Sequence, residues 1–164
     1  MVEACLELLE LGYYEAKFAF EGLADENVWK RPAPGLLSVG ELAGHHAYWE
    51  AVRLAGDGED LAKCGVKSPL IDTRFRYYPL TIATPPSEQH LAMTAEQVCS
   101  ELLRVHREAV AHFKALNPDP DTRIPGEPHF TYGEYLKYAV FHLAYHTGQM
   151  YSVRHLLGEE PPDN

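Results

Sequence analysis

The placement of proline along this chain leaves few folds open to it. All twelve prolines fall in four short zones, Pro32–Pro34, Pro69–Pro86, Pro118–Pro128 and Pro161–Pro162. A proline in a helix interior removes a hydrogen bond and clashes with the turn before it. The long proline-free spans are therefore where helices can run, and there are four. Three of them open on a capping signature: Ser38-Val-Gly-Glu41, Thr94-Ala-Glu-Gln97 and Thr131-Tyr-Gly-Glu134. Each has the S/T-x-x-E/Q form, in which two side chains satisfy each other's backbone N–H groups. One match carries little. Three matches, each between a proline zone and an apolar-periodic run, carry much more.

These signals predict helices over 2–22, 38–56, 94–117 and 131–157. In the first, Leu6, Leu9, Tyr13 and Phe20 recur at helical spacing, with Glu3, Glu7, Glu10 and Lys17 between them. In the third, Val98, Leu102, Val105, Ala109 and Leu116 form one stripe, with Glu101, Arg104, Arg107 and Glu108 off it. Gly158 stands where a C′ glycine would close the fourth helix, and the tail 159–164 is expected to fray. Residues 57–93 are too many for an ordinary connection. Their RFRYYPLTIATPP stretch is aromatic and β-branched, as an extended strand or a lid would be. The predicted fold is all-α: one four-helix-bundle domain over 1–164, with a long crossover between helices two and three.

Composition narrows the function. The net charge is −10 with histidines neutral, and the 14 basic residues are dispersed. Binding to phosphate backbones or anionic lipid draws on clustered Lys and Arg, so neither nucleic acid nor a membrane surface is an expected partner. No stretch approaches the length of a bilayer span, and the acidic start MVEACLELLELGYYEAKFAF lacks the form of a signal peptide. Cys5, Cys64 and Cys99 are odd in number and scattered. They read as reduced thiols of a cytoplasmic protein.

Nine histidines are many for 164 residues. His142 and His146, in FHLAYHTGQM, lie four apart. On a helix that offset is about 40° of rotation and about 6 Å of rise, so both rings leave one face. Two imidazoles so placed can converge on one cation. Gln149 shares that face as a contact for the ligands or for a substrate. Leu143 excludes the HExxH protease motif. Chance places two of nine histidines four apart often enough that a third ligand is needed. His45 or His46 on helix two is the natural source. The apolar Leu42, Ala43 and Trp49 around His45 favour it as the inward-facing one. A buried, hydrogen-bonded histidine is the ordinary alternative for each.

Two segments also resemble a known family. LADENVWKRPAPGLLSVGELAGHHAYWE resembles the first connection and second helix of the DinB/YfiT-like metal-binding four-helix proteins. There a proline-containing loop leads to a Ser-Ile-Gly-Glu-like start, with a histidine seven residues after the serine. Counted from Ser38, that histidine is His45, and His46 is an extra one beside it. HLAYHTGQMYSVRHLLG resembles the family's closing His-x-x-x-His-x-Gly-Gln motif, which maps the other two ligands onto His142 and His146. Thr147 stands where the family often has Arg. The resemblance covers nearly the whole chain. It implies a bundle that binds zinc, nickel or a similar divalent ion, commonly as a homodimer, with relatives acting as thiol-dependent transferases or metal-dependent hydrolases.

Three neutral imidazoles would leave a divalent ion open positions, as in catalytic sites. Such an ion can activate water or present a low-molecular-weight thiol as thiolate. No general base is evident. Glu50, five residues past His45, should point away, and Glu41 is committed to a cap. That favours thiol chemistry on a small-molecule substrate over hydrolysis. The competing expectation is a non-catalytic metal- or ligand-binding stress protein. His106 is a minor alternative ligand and more often a core residue. Tyr48-Trp49, Phe75 and Tyr77-Tyr78 are aromatic groups able to line a pocket, and Arg74 and Arg76 are able to hold an anion.

Overall fold

The computed structural model describes residues 1–58, 60–76 and 84–162. Its regular elements are all helical: α1 (Val2–Phe18), α2 (Asp25–Val28), α3 (Val39–Ala55), α4 (Glu88–Leu91), α5 (Ala95–Leu116) and α6 (Tyr132–Leu156), with a 3-10 turn at Thr73–Phe75. The four long helices pack on one another. α3 packs on α5 and α6, and α1 packs on α6 and α5. Among the described residues no helix is long and apolar enough to cross a membrane. The cysteines are free, with Cys5 and Cys64 buried.

The capping boxes at Ser38, Thr94 and Thr131 all form, each hydroxyl accepting from the backbone N–H three residues on. Glu41 has a second task, since Arg31 pairs with its carboxylate from the loop before α3. A fourth box, which the E/Q pattern does not detect, uses histidine. The Ser87 N–H donates to His90 Nδ1, so the proton sits on Nε2 and is given to the Pro69 carbonyl at 2.8 Å. This box starts α4 and ties it back to the crossover at Pro69.

Fourteen of the seventeen residues of α3 are buried, which makes it the central helix. Two glycines let aromatic rings lie against it. A Cβ on Gly40 would collide with the Trp29 ring, and one on Gly44 with the Phe75 ring. The core between the four helices is filled by Leu9, Leu42, Leu102, Leu136, Leu143 and Met150, all fully buried. The expected stripe on α5 is correct except at Leu116. That residue is exposed in the last turn before the left-handed cap at Asn117, and Phe113 is the buried residue there.

Two expectations about chain ends are corrected. α1 stops at Phe18, and residues 19–22 turn away through Gly22 at φ 68°. The tail does not fray at Glu159. The buried Arg154 of α6 touches both places. Its guanidinium donates to the Ala19 and Glu21 carbonyls and pairs with Glu159, which also accepts from Asn27. Carbonyls at a helix end need donors, and a buried guanidinium needs a carboxylate. The aromatic–β-branched stretch of the crossover falls mostly at 77–83, outside the described residues, and Tyr77 and Tyr78 with it.

One polar cluster crosses the core. The Tyr13 hydroxyl of α1 donates to Glu50 of α3, and His106 of α5 lies 2.8 Å from the other oxygen of Glu50. The Tyr13 and His106 rings stack at 3.9 Å. His106 is thus a core residue and joins no other histidine. Burial pushes the Tyr13 hydroxyl well above its usual pKa, and the Glu50 charge adds to that, so Tyr13 remains a donor. For His106 burial opposes the charged ring, but Glu50, with help from Glu10 at 3.5 Å, outweighs it and raises the pKa. A raised folded-state pKa stabilises fully below the free value of about 6.5 and is lost as pH rises through the raised value. Replacing His106 with Gln leaves Glu50 buried without its ionic partner, and should cost about 3–5 kcal/mol at about pH 6. The gap from wild type should narrow as pH rises through the raised value, where the wild-type ring loses its proton. Urea denaturation across this range reads it, and a gap independent of pH would mean that the ring is neutral throughout.

Candidate metal centre

His45 lies in the second turn of α3, where the Ser38 cap sets the helix start, and His142 and His146 lie on successive turns of α6. α6 runs antiparallel to α3 along this seam. His142 meets His45, whereas the earlier Tyr135 meets the later Trp49, its hydroxyl donating to the Trp49 carbonyl at 3.3 Å. The three histidines come together. His142 Nε2 is 3.2 Å from His45 Nε2 and 3.0 Å from His146 Nε2. All three ligand atoms lie within 4.8 Å of one another. For comparison, zinc–nitrogen bonds of about 2.0–2.1 Å at tetrahedral angles place nitrogens about 3.3 Å apart.

The hydrogen bonds behind the rings decide what the cluster can hold. His45 Nδ1 is 2.7 Å from the Phe75 carbonyl, which can only accept, so Nδ1 carries the proton and Nε2 a lone pair. His146 Nδ1 likewise faces the Gln149 side-chain oxygen. His142 Nε2 has one proton at most and two lone pairs in front of it. Burial lowers the pKa of His45 to about 4 and of His142 to about 3, with neighbouring histidines and Arg53 adding to the effect. Burial lowers His146 as well, against the Gln149 contact. Three neutral rings thus aim more lone pairs than protons at one point. A divalent cation suits that arrangement, and these residues can hold one.

His46, the extra histidine, packs beside the same pair. Its ring is 4.9 Å from His142 and 5.1 Å from His146, and its buried Nε2 has no hydrogen-bond partner among the described residues. Glu50 points away, as its angular position requires. Arg74 pairs with Asp72. A cleft of about 380 Å³ opens on the three histidines, with Trp49, Arg53, Arg76, Tyr138, Phe141 and Tyr145 in its walls.

Residues 8–150 match the DinB superfamily. The chain belongs to that family. No curated protein and no solved structure matches it. In this DinB-superfamily chain the sequence motifs located the histidines but missed most of the cleft wall. Arg53 was legible in principle, since His45, Trp49 and Arg53 follow at four-residue steps on α3. Tyr138 stands four before His142, and Tyr145 three after it, so the aromatic side of the cleft shares their face. Phe141 gives no such signal. It is flanked by ligand-face residues and is 64% exposed at the rim.

The support for His45 is itself testable. The Phe75 carbonyl is held at its Nδ1 because Gly44 leaves room for the Phe75 ring. Gly44→Ala should push the ring and its carbonyl away. Metal affinity is then expected to fall about 10–100-fold, as for other losses of a ligand's hydrogen-bond partner. Competition against a chromophoric chelator measures this, with circular dichroism showing that the helices persist. Unchanged affinity would mean that Phe75 does not orient His45.

Proposed function

We propose that this protein is a metal-dependent enzyme acting on a small molecule, through an open site of His45, His142 and His146. The observation that carries the reading is the convergence of three imidazole nitrogens, two with their protons turned outward, on the floor of a cleft. A divalent ion, zinc or nickel, would supply Lewis acidity there and lower the pKa of a water or thiol that it binds. The protein's own part is to orient the rings. Phe75 and Gln149 hold the protons on Nδ1, and Tyr138 stacks on His142 at 5.2 Å. Tyr145, which accepts from Gln149, packs edge-on to His146 at 4.9 Å.

Of the two chemistries, thiol-dependent S-transfer is favoured over hydrolysis. Hydrolysis calls for a general base within reach of the attacking water. No carboxylate is among the described residues that line the cleft. Glu50 serves the core, and Glu127 is bound to Arg53 at 2.7 Å. A low-molecular-weight thiol needs no such base once its sulfur is held as thiolate. We infer a cytoplasmic setting, in keeping with the free cysteines, and a homodimer. The exposed Leu8, Leu11 and Tyr14 on α1 offer an apolar face for a second copy.

Elemental analysis of untagged protein tests the centre. About one ion per chain is expected, and alanine at His45, His142 or His146 should each lower affinity by at least about tenfold. Stoichiometric metal in all three variants would overturn the site. A thiol-by-electrophile screen on the loaded protein then separates an enzyme from a binding protein, since metal occupancy with no turnover would favour the latter.

A further inference from the structure

The three histidines are not held in the same way. A hydrogen bond fixes Nδ1 in two of them, to the Phe75 carbonyl for His45 and to the Gln149 oxygen for His146. His142 differs. Among the described residues its hydrogen-bond contacts are both at Nε2, to the other two histidines, and none is made at Nδ1. A ligating imidazole is ordinarily oriented by a partner at its far nitrogen. For His142 that task falls to whatever packs against the ring.

Aromatic side chains do so, and α6 sets them at the right spacing. Tyr138 stands one turn before His142, so the two share a face. Their rings stack at 5.2 Å, with 24° between the planes. From α3 the His46 ring meets His142 edge-on at 4.9 Å. Behind Tyr138 lies Phe130, stacked on it at 5.1 Å and 30°. Phe130, Tyr138 and His142 thus form a row of near-parallel rings that ends on a ligand.

The far end of the row is itself anchored. Phe130 immediately precedes the Thr131 cap of α6, and its ring also packs edge-on against Tyr135 at 6.2 Å. A contact between the residue before the cap and the fourth residue of the helix is a hydrophobic staple, which fixes the angle at which the chain enters. The loop 117–131 is held from α3 as well. Its Glu127 accepts from Arg53 through Oε2 and from the His129 N–H through Oε1. The Arg53 guanidinium lies 5.0 Å from the Phe130 ring, and the Ile124 N–H donates to the Phe130 carbonyl at 3.2 Å.

We propose, building on the metal-binding role of the three histidines, that Tyr138 and Phe130 are positioning residues for His142. By stacking they hold the ligand whose Nδ1 no described residue binds. The loop 117–131 therefore sets the orientation of His142, as the crossover sets that of His45. His142 is the least firmly held of the three, and the one whose placement responds to this loop.

Cobalt(II)-loaded protein provides the test. The paramagnetic ion shifts the ring N–H protons of its ligands far from the rest of the proton spectrum, so each can be followed alone. Two such signals, from His45 and His146, should persist after transfer to deuterium oxide, and that of His142 should vanish first. Tyr138→Leu should displace the His142 signal, leave the other two in place and weaken cobalt binding about tenfold, the upper worth of one aromatic stack. Tyr138→Phe, which keeps the ring, should match wild type in both respects. Phe130→Leu should act in the same direction and add little in the Tyr138→Leu background, because it works through Tyr138. Circular dichroism checks that each variant keeps its helices. The proposal is overturned by three signals of equal persistence, or by a Tyr138→Leu variant in which the His142 signal is unmoved or all three move alike. Additive losses in the double variant, or a Tyr138→Phe variant that behaves like Tyr138→Leu, overturn it too. Failure to take up cobalt would instead count against the metal reading. Crystal structures of metal-free wild type and Tyr138→Leu then decide. The His142 ring should turn while His45 and His146 keep their places, and an unmoved ring would overturn the positioning role.

Discussion

A single hydrogen bond, from His45 Nδ1 to the Phe75 carbonyl, ties together three parts of this protein that the sequence keeps apart. It fixes the tautomer of His45, and so turns a lone pair toward His142. It fastens the crossover to the central helix at the point where the cleft opens. It also depends on Gly44, because only a helix surface without a Cβ there admits the Phe75 ring. Without this bond His45 would be a buried polar ring with either nitrogen free to carry the proton, and the seam with α6 would lose its preference for a cation. Trp49 repeats the device one turn on, donating to the Arg76 carbonyl. The irregular chain is thus pinned twice by side chains of one α3 face, and it becomes a wall of the site.

α3 can serve the site because it divides two polar environments. Its Glu50 faces α1 and α5, where Tyr13 and His106 enclose it. Its His45, Trp49 and Arg53 face α6 and the cleft. Five residues of helix, about 140° of rotation, separate His45 from Glu50. The carboxylate therefore strengthens the core without neutralising the centre. A carboxylate on the cleft face would have balanced a bound dication from within the protein. On α3 none stands there, and the described lining of the cleft holds no acid.

Much of this was legible in the sequence, and the reason is local. The boxes at Ser38, Thr94 and Thr131 depend on residues three apart, so they could be read directly, and they set the helix starts from which His45 and the His142/His146 pair are counted. The turn that ends α1 could not be read this way. Arg154, which satisfies the Ala19 and Glu21 carbonyls, lies more than 130 residues further along the chain. The same holds for Glu159, whose partners Ala24 and Asn27 lie in the α1–α3 connection. The box at Ser87 is hidden because histidine is not the usual third residue of a capping box, although the His90 Nδ1 accepts as a carboxylate does.

The choice between His45 and His46 shows where local reading ends and packing begins. Adjacent residues on a helix differ by about 100°, so both cannot face α6 in the same way. Yet both are buried, and both rings lie about 5 Å from His142 and His146. What separates them is where the ligand atom lies. His45 Nε2 is 3.2 Å from His142 Nε2 and falls in one group with the ligand atoms of His142 and His146, and His46 is not in that group. A ligand nitrogen is a donor to the metal only when its proton is held elsewhere. The crossover meets that condition at His45, so the same segment that walls the cleft also leaves the His45 Nε2 lone pair facing the group.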